Sequence, residues 1–430
     1  MRLGYTARAA RLMLLHPRLW GAMVKEKGSA PPPQARRNGH ILVVIENVPL
    51  GVCQRLRKQV RDLLAGGFRV TVVTMKDPAN LEWRGQPGLT ILEYPAPAEP
   101  ESMLGYVREY TLSFFWAFLL CTVARLRGRI DVVQFCLPPD IYFPLGRLLS
   151  WTGVTVVADH RDLMPELFES RYGNSRPVII SALRWLEQRT ERAAGHTICT
   201  NEYFRERLIG AGAAPEQVTI VGNGPVLARV ERAVADPALR GENKFLCCWI
   251  GKMGRQDRVD LLIDAVGHLV HDLGRKDCSF AILGDGETLD DITSQVARLG
   301  LEPWVHFPGW LTEEQVFSYL ASADLGLDTS LAADISPVKI LEYMAFGVPV
   351  VAFDLQETRV MSEGASALVP APDVEAYARE LAALLDDSER RAHLGELGRM
   401  RVQTEHAWER QSAVYLELMR RLCRPSRQSQ

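Results

Sequence analysis

Paired cysteines are missing from this chain. Eight are scattered over 430 residues, and none stands in a C-x-x-C pair. That excludes a disulfide framework and a zinc cluster of familiar spacing, and it fits a reduced, cytoplasmic setting. A G-x-G-x-x-G fingerprint is also missing, which argues against a dehydrogenase. So is an excess of one charge. The 50 Lys and Arg face 52 Asp and Glu, a net −2, so bulk binding of nucleic acid is not expected. No apolar run reaches the ~20 residues needed to span a bilayer. The most apolar stretch, LSFFWAFLLCTVA at 112–124, reads as a buried core helix, although its Trp and Phe also suit a membrane interface. Near the start, the longest run, LMLL, is far short of a signal-peptide core of ~7–15 residues.

What is present is uneven. Residues 1–40 carry eight Lys or Arg and one acid, +7, which leaves −9 for the rest. Residues 1–27 mix Arg with Leu, Met and Trp. They read either as an amphipathic helix on an anionic membrane surface or as a loose extension before the linker GSAPPPQARRNGH. An extension and Pro-rich linker therefore fill 1–39. Beyond it, short β-branched apolar runs alternate with amphipathic helices, first over 40–225 and again over 244–404. Such runs mean parallel strands covered on both faces. The fold class is thus α/β, with two doubly wound domains facing a cleft. A polar stretch, 226–243, links them. The last helix, 405–424, has apolar spacing suited to packing back on the first domain. At 430 residues, two domains are also the natural division.

Ligands of open parallel sheets bind beyond the carboxyl ends of the strands. The segment ADISPVKILEYMAFGVPVVAFD, 333–354, lies at such an end. Ser336 suits an N-cap and Pro337 the first helical position. A lysine in the first turn, Lys339, is disfavoured by the helix dipole unless an anion is bound beside it. Asp334 and Glu342 add two carboxylates around the same spot, and Lys339 shares a helix face with Glu342. Carboxylates accept hydrogen bonds from sugar hydroxyls, and cations with free N–H groups take phosphate. The other reading of Lys339 is a solvated side chain that tolerates a small penalty.

SPVKILEYMAFGVPVVAFD resembles the E-x7-E region of the retaining GT-B glycosyltransferases of family 4, of the exopolysaccharide and O-antigen type. DHRDLMPE (159–166), TIVGNGP (219–225), WIGKMGRQDRVDLLIDA (249–265), AILGDGE (281–287) and VHFPGWLTEEQVFSYLASADLGL (305–327) are similar to further landmarks of that family, in the same order. The resemblance implies a GT-B architecture and transfer of a hexosyl or N-acetylhexosaminyl group from a nucleotide-diphosphate sugar, of UDP or GDP type. It implies a lipid-linked or polysaccharide acceptor, retention of configuration, and no cofactor or metal. It places Glu342 on the donor ribose and Asp334, where the family usually has Glu, at the donor sugar. Lys252 matches the family's diphosphate Arg. The companion Lys position falls on Asp257, so Arg255 or Lys339 would supply the missing charge, with Ser336 and Val338 beside them on the donor side. In the first domain, His160, Arg161 and Asp162 would line the cleft, or else cap a strand end. Gly51 and Glu166 would lie on the acceptor side. A cytoplasmic protein, at the inner face of the cell membrane if residues 1–27 touch lipid, would follow. The rivals are a sugar-nucleotide epimerase of the same fold and a silent nucleotide-sugar-binding subunit.

Overall fold

A computed structural model describes residues 38–46, 48–97, 103–172, 176–331 and 338–423. The first domain is a seven-stranded sheet, wholly parallel, in the order β3-β2-β1-β4-β5-β6-β7. Its strands are β1 (His40–Val44), β2 (Arg69–Met75), β3 (Leu89–Tyr94), β4 (Val132–Leu137), β5 (Thr155–His160), β6 (His196–Cys199) and β7 (Val218–Ile220). The helices that matter here are α1 (Gln54–Ala65), α2 (Met103–Arg127), α3 (Phe143–Ser150), α4 (Met164–Tyr172), α5 (Pro177–Ala193) and α6 (Glu202–Ala211).

The second domain is a six-stranded parallel sheet, β10-β9-β8-β11-β12-β13. Its strands are β8 (Phe245–Lys252), β9 (Cys278–Asp285), β10 (Val305–Gly309), β11 (Leu325–Asp328), β12 (Val350–Phe353) and β13 (Ser366–Val369). Helix α7 (Val338–Phe346) follows β11, and α8 (Trp408–Cys423) closes the described chain. Strand order reverses between β1 and β4 in one sheet and between β8 and β11 in the other. Crevices open at such reversals.

Alternation along the strands fills both faces of each sheet. On β1, Ile41 and Val43 join a core with Leu56 and Val60 of α1. Leu42 and Val44 face the other way, onto Leu120 and Cys121 of α2 and Leu145 and Leu149 of α3. Helix α8 belongs to the first domain's core although it follows the second in sequence. Tyr415, Leu418 and Met419 are buried beside Ile41 and Val43. The Trp408 indole N–H donates to Asp62 Oδ2 at 2.7 Å, and the Tyr415 hydroxyl donates to Gln134 Oε1 at 2.6 Å. The crossover fits only because residue 224 is glycine: a Cβ there would fall 1.5 Å from the His406 carbonyl oxygen.

Two features differ from the sequence reading. It passes over β3 and β13, each an outer strand of its sheet. And α2 is 25 residues long, not the 13 of its most apolar run. By length and composition alone, Leu104–Arg127 is apolar enough to cross a membrane. Here its inner side, Ala117, Leu120, Cys121 and Ala124, is buried on the sheet.

Candidate active site

The second domain supplies one wall. Strand β8 ends at Lys252, followed by a tight turn over Arg255–Asp257 and by Arg258 in the left-handed region, φ 49°. A non-glycine residue there is uncommon and is held by its surroundings: the Thr329 hydroxyl donates to the Arg258 carbonyl at 2.9 Å. Lys252 and Arg255 are exposed at this edge, and neither side chain makes an ion pair among the described residues.

Lys339 is differently placed. Its ammonium lies 2.9 Å from Asp257 Oδ1, 3.4 Å from Asp328 Oδ1 and 4.4 Å above the Trp249 ring. Burial favours the neutral amine, but the Asp328 and Asp257 carboxylates outweigh it and hold the pKa above its usual value. The sequence reading has Lys339 free to meet phosphate and Asp257 repelling it. Instead the two neutralise each other across 82 residues of chain. The charge expected at position 257 is delivered to the same spot from α7.

Glu342, one turn further along α7, is half-buried. Burial pushes its carboxyl up to about 7, against the pull of the Lys58 ammonium, and Glu313 adds to the rise. Lys58 comes from α1 of the other domain. It donates to the Gly224 carbonyl at 2.9 Å, lies 4.5 Å over the Trp408 ring, and is brought down to about 8, mainly by burial. Thus Glu342 and Lys58 sense each other across the cleft.

The opposite wall is built on the ends of β1, β4 and β5. Asp159 is fully buried and accepts hydrogen bonds from Arg55 (3.1 Å), Gln59 (3.1 Å) and Gln134 (2.8 Å). Burial alone would raise its pKa, but the guanidinium groups of Arg55 and Arg161 hold it below the usual value. Arg161 is half-buried, with donors 2.9 Å from Cys53 Sγ and Cys136 Sγ. His160 does not line the cleft. It is 0% exposed and bonds Glu191 Oε1 at 2.7 Å. Burial lowers a histidine's pKa, but the Glu191 carboxylate more than reverses this and brings it to about 9. That bond, sealed in the interior, locks α5 to β5. Asp162, next along, is exposed. Glu166, in the first turn of α4, accepts from Arg207 Nε at 2.6 Å. Gly51 is buried, and a Cβ there would strike the Ala79 carbonyl oxygen at 2.1 Å. It shapes the β1–α1 loop and presents no surface to a ligand.

The two walls meet. Helix α4 lies against the Arg255–Asp257 turn, so the two domains touch beside the end of β8, and the Lys339–Asp257 pair ties α7 to that same turn. Val338 opens α7 next to Lys339. Asp334 and Ser336 lie outside the described residues.

Residues 51–224 match the family model of the glycosyl transferase 4-like domain, and residues 244–387 match that of the glycosyl transferases group 1. The chain belongs to the GT-B glycosyltransferases. The fold agrees over most of the chain. Sucrose-phosphate synthase from Thermosynechococcus elongatus superposes with a TM-score of 0.73 at 17% identity, over 89% of this chain and 99% of that one. HepE from Anabaena, in a structure with UDP-glucose, superposes with a TM-score of 0.68 at 18% identity over the same shares. The lipopolysaccharide core biosynthesis glycosyltransferase LpsE of Rhizobium meliloti is 28% identical over 228 residues, 52% of this chain. That match takes in 63% of LpsE, a little under two thirds of its length.

In this GT-B chain, sequence reasoning misses Lys58, Arg55 and Gln59. Their signal was available: QRLRKQ places all three at i, i+3 and i+4, a polar stripe on a helix that must bury one face.

Proposed function

We propose that the chain transfers a hexosyl or N-acetylhexosaminyl group from a nucleotide-diphosphate sugar to a lipid-linked or polysaccharide acceptor, with retention of configuration and no metal requirement. The observation that carries this reading is the placement of Lys252 and Arg255 at the carboxyl end of β8, with Glu342 on α7, the helix that follows the neighbouring strand β11. Breaking a sugar–diphosphate bond puts negative charge on the leaving group. Lys252 and Arg255, at the strand end, would stabilise that charge. Ionised Glu342 would accept hydrogen bonds from the ribose, and Arg161 and Asp162 would face the acceptor. Lys339 would hold Asp257 neutralised, so that the turn does not repel phosphate. No nucleophile on the protein is assigned. HepE's complex with UDP-glucose supports a UDP-type donor, with a GDP-type donor the alternative, and LpsE's role supports a cell-envelope acceptor. The setting would be the cytoplasmic face of the cell membrane, with residues 1–27 on anionic lipid.

A thermal-shift series over UDP- and GDP-sugars tests the donor. A ligand at 100 times its Kd stabilises the native state by about 2.7 kcal/mol. At least one nucleotide sugar is expected to raise Tm, and none doing so would overturn the reading. Epimerised sugar nucleotide formed without acceptor would favour the epimerase. Binding with neither transfer nor hydrolysis would favour the silent subunit.

Glu342 adds a pH dependence. Its carboxyl titrates at about 7, and the ionised form is the better acceptor for ribose hydroxyls. Donor affinity is therefore expected to rise with pH through about 7 and then level off. Removing the facing ammonium in Lys58→Met should move the midpoint upward. A flat affinity from pH 5.5 to 8.5 by calorimetric titration would detach Glu342 from the donor.

A further inference from the structure

Helix α2 is apolar on all sides, a pattern that belongs to a helix covered on all sides. It is not covered. Leu104 is 78% exposed, Phe115 56%, Phe118 40% and Leu126 79%, and these positions fall on one outer face at helical spacing. The apolar surface continues onto the neighbouring helices of the same layer. Trp151, directly after α3, is 81% exposed, and Trp185 on α5 is 48% exposed. The layer is continuous: Ser113 of α2 bonds the Tyr142 hydroxyl at 2.8 Å, and the Phe143 ring of α3 meets Trp185 edge-on at 6.0 Å. Exposed apolar side chains on three neighbouring helices of one layer mark an interaction site.

Charge identifies the partner. Helices α2, α3 and α5 carry seven arginines, Arg108, Arg125 and Arg127 on α2, Arg147 on α3, and Arg184, Arg189 and Arg192 on α5. Their acids are Glu109, Glu187 and Glu191, and the last two are buried inward. Glu169 of α4 pairs with Arg184 at the margin. Five of the seven, Arg108, Arg127, Arg147, Arg184 and Arg192, are exposed, so the layer's solvent side is cationic as well as apolar, in a chain whose net charge beyond residue 40 is −9. Arginine stems lie along apolar surface while their heads reach for anions, and exposed tryptophan suits the headgroup level of a bilayer. A second copy of the chain would set these exposed arginines against arginines.

We propose that the outer face of the α2–α3–α5 layer seats on an anionic lipid bilayer. Adsorption is parallel to the surface. Helix α2 does not cross the membrane, because its inner residues remain in the core of the sheet. The seat is distinct from residues 1–27 and independent of the transfer reading, since it is read out by lipid binding. Each surface arginine contributes about fivefold to partitioning onto anionic lipid.

The test uses the full-length chain with vesicles of phosphatidylcholine alone or with added phosphatidylglycerol. Sedimentation is expected only with the anionic vesicles and should weaken in high salt. Arg147→Gln with Arg192→Gln should lower the bound fraction about 25-fold, and Phe115→Ser with Trp151→Ser should lower it at least tenfold. All four side chains are at the surface, so Tm and the nucleotide-sugar shift should stay put and report intact folding. A parallel variant, Arg8→Gln with Arg11→Gln and Arg18→Gln, reports the N-terminal segment. The proposal is overturned if both layer variants bind as the parent does, whatever the N-terminal variant shows. It is also overturned if the layer variants lower self-association in sedimentation velocity without lipid, which would make the face a contact between copies.

Discussion

Lys339→Met is expected to lower the free energy of unfolding by about 3–5 kcal/mol, the cost of leaving a buried charge without its partner. The side chain is 11% exposed and its ammonium answers two carboxylates. Asp328 is 3% exposed and also accepts from the Ser330 hydroxyl at 2.7 Å; Asp257 is 13% exposed. Without the ammonium, two carboxylates are left facing each other out of water. Urea unfolding measures the loss, and Asp257→Asn in the same chain should restore part of the deficit. A loss below about 1 kcal/mol would mean that solvent already screens the cluster. Donor titration on the folded fraction answers a separate question. If affinity is unchanged, Lys339 acts on its carboxylates and does not touch diphosphate.

The second large effect is expected on rate. Lys252→Ala should reduce kcat about 10²- to 10³-fold, as the loss of one preorganised group facing developing charge does. KM should change less, because leaving-group charge grows mainly in the transition state. Lys252 is exposed at the end of β8 and holds up nothing else among the described residues, so Tm should hold. The measurement is steady-state release of the nucleoside diphosphate with the donor found by thermal shift. A fall of less than threefold would move the diphosphate away from Lys252 and onto Arg255.

Much of the architecture is legible in the residues. Alternating runs such as HILVVIENVP and QRLRKQVRDLLAGG dictate parallel strands and covering helices, because each apolar face must find another. Two of the four outer strands escape this logic. LTILEY, in β3, has one neighbouring strand, and SALV, in β13, is four residues long, so neither shows a full apolar pattern. Lys252, Lys339 and Glu342 are visible through their motif and its place at strand ends. Their partners are not. Lys339 with Asp257, Arg55 with Asp159 and Lys58 opposite Glu342 join elements far apart in sequence, and only tertiary packing decides them. His160 shows the limit most plainly. A histidine beside Arg and Asp at a strand end looks like a ligand contact, yet Glu191, 31 residues on, claims it for the interior.

The return of α8 to the first sheet makes the molecule a clasp with two straps. One strap runs forward through 226–243, and the other comes back at Trp408, whose amide bonds the Pro225 carbonyl at 2.8 Å, beside the point where the first strap departs. Any swing of one half against the other must pivot about that shared seam, so the jaws open at their far lips while the seam stays shut. Nor can the halves be parted with a single cut. A break in the forward strap leaves the earlier half still wearing the tail of the later piece, with Tyr415 and Met419 seated among the strands they complete.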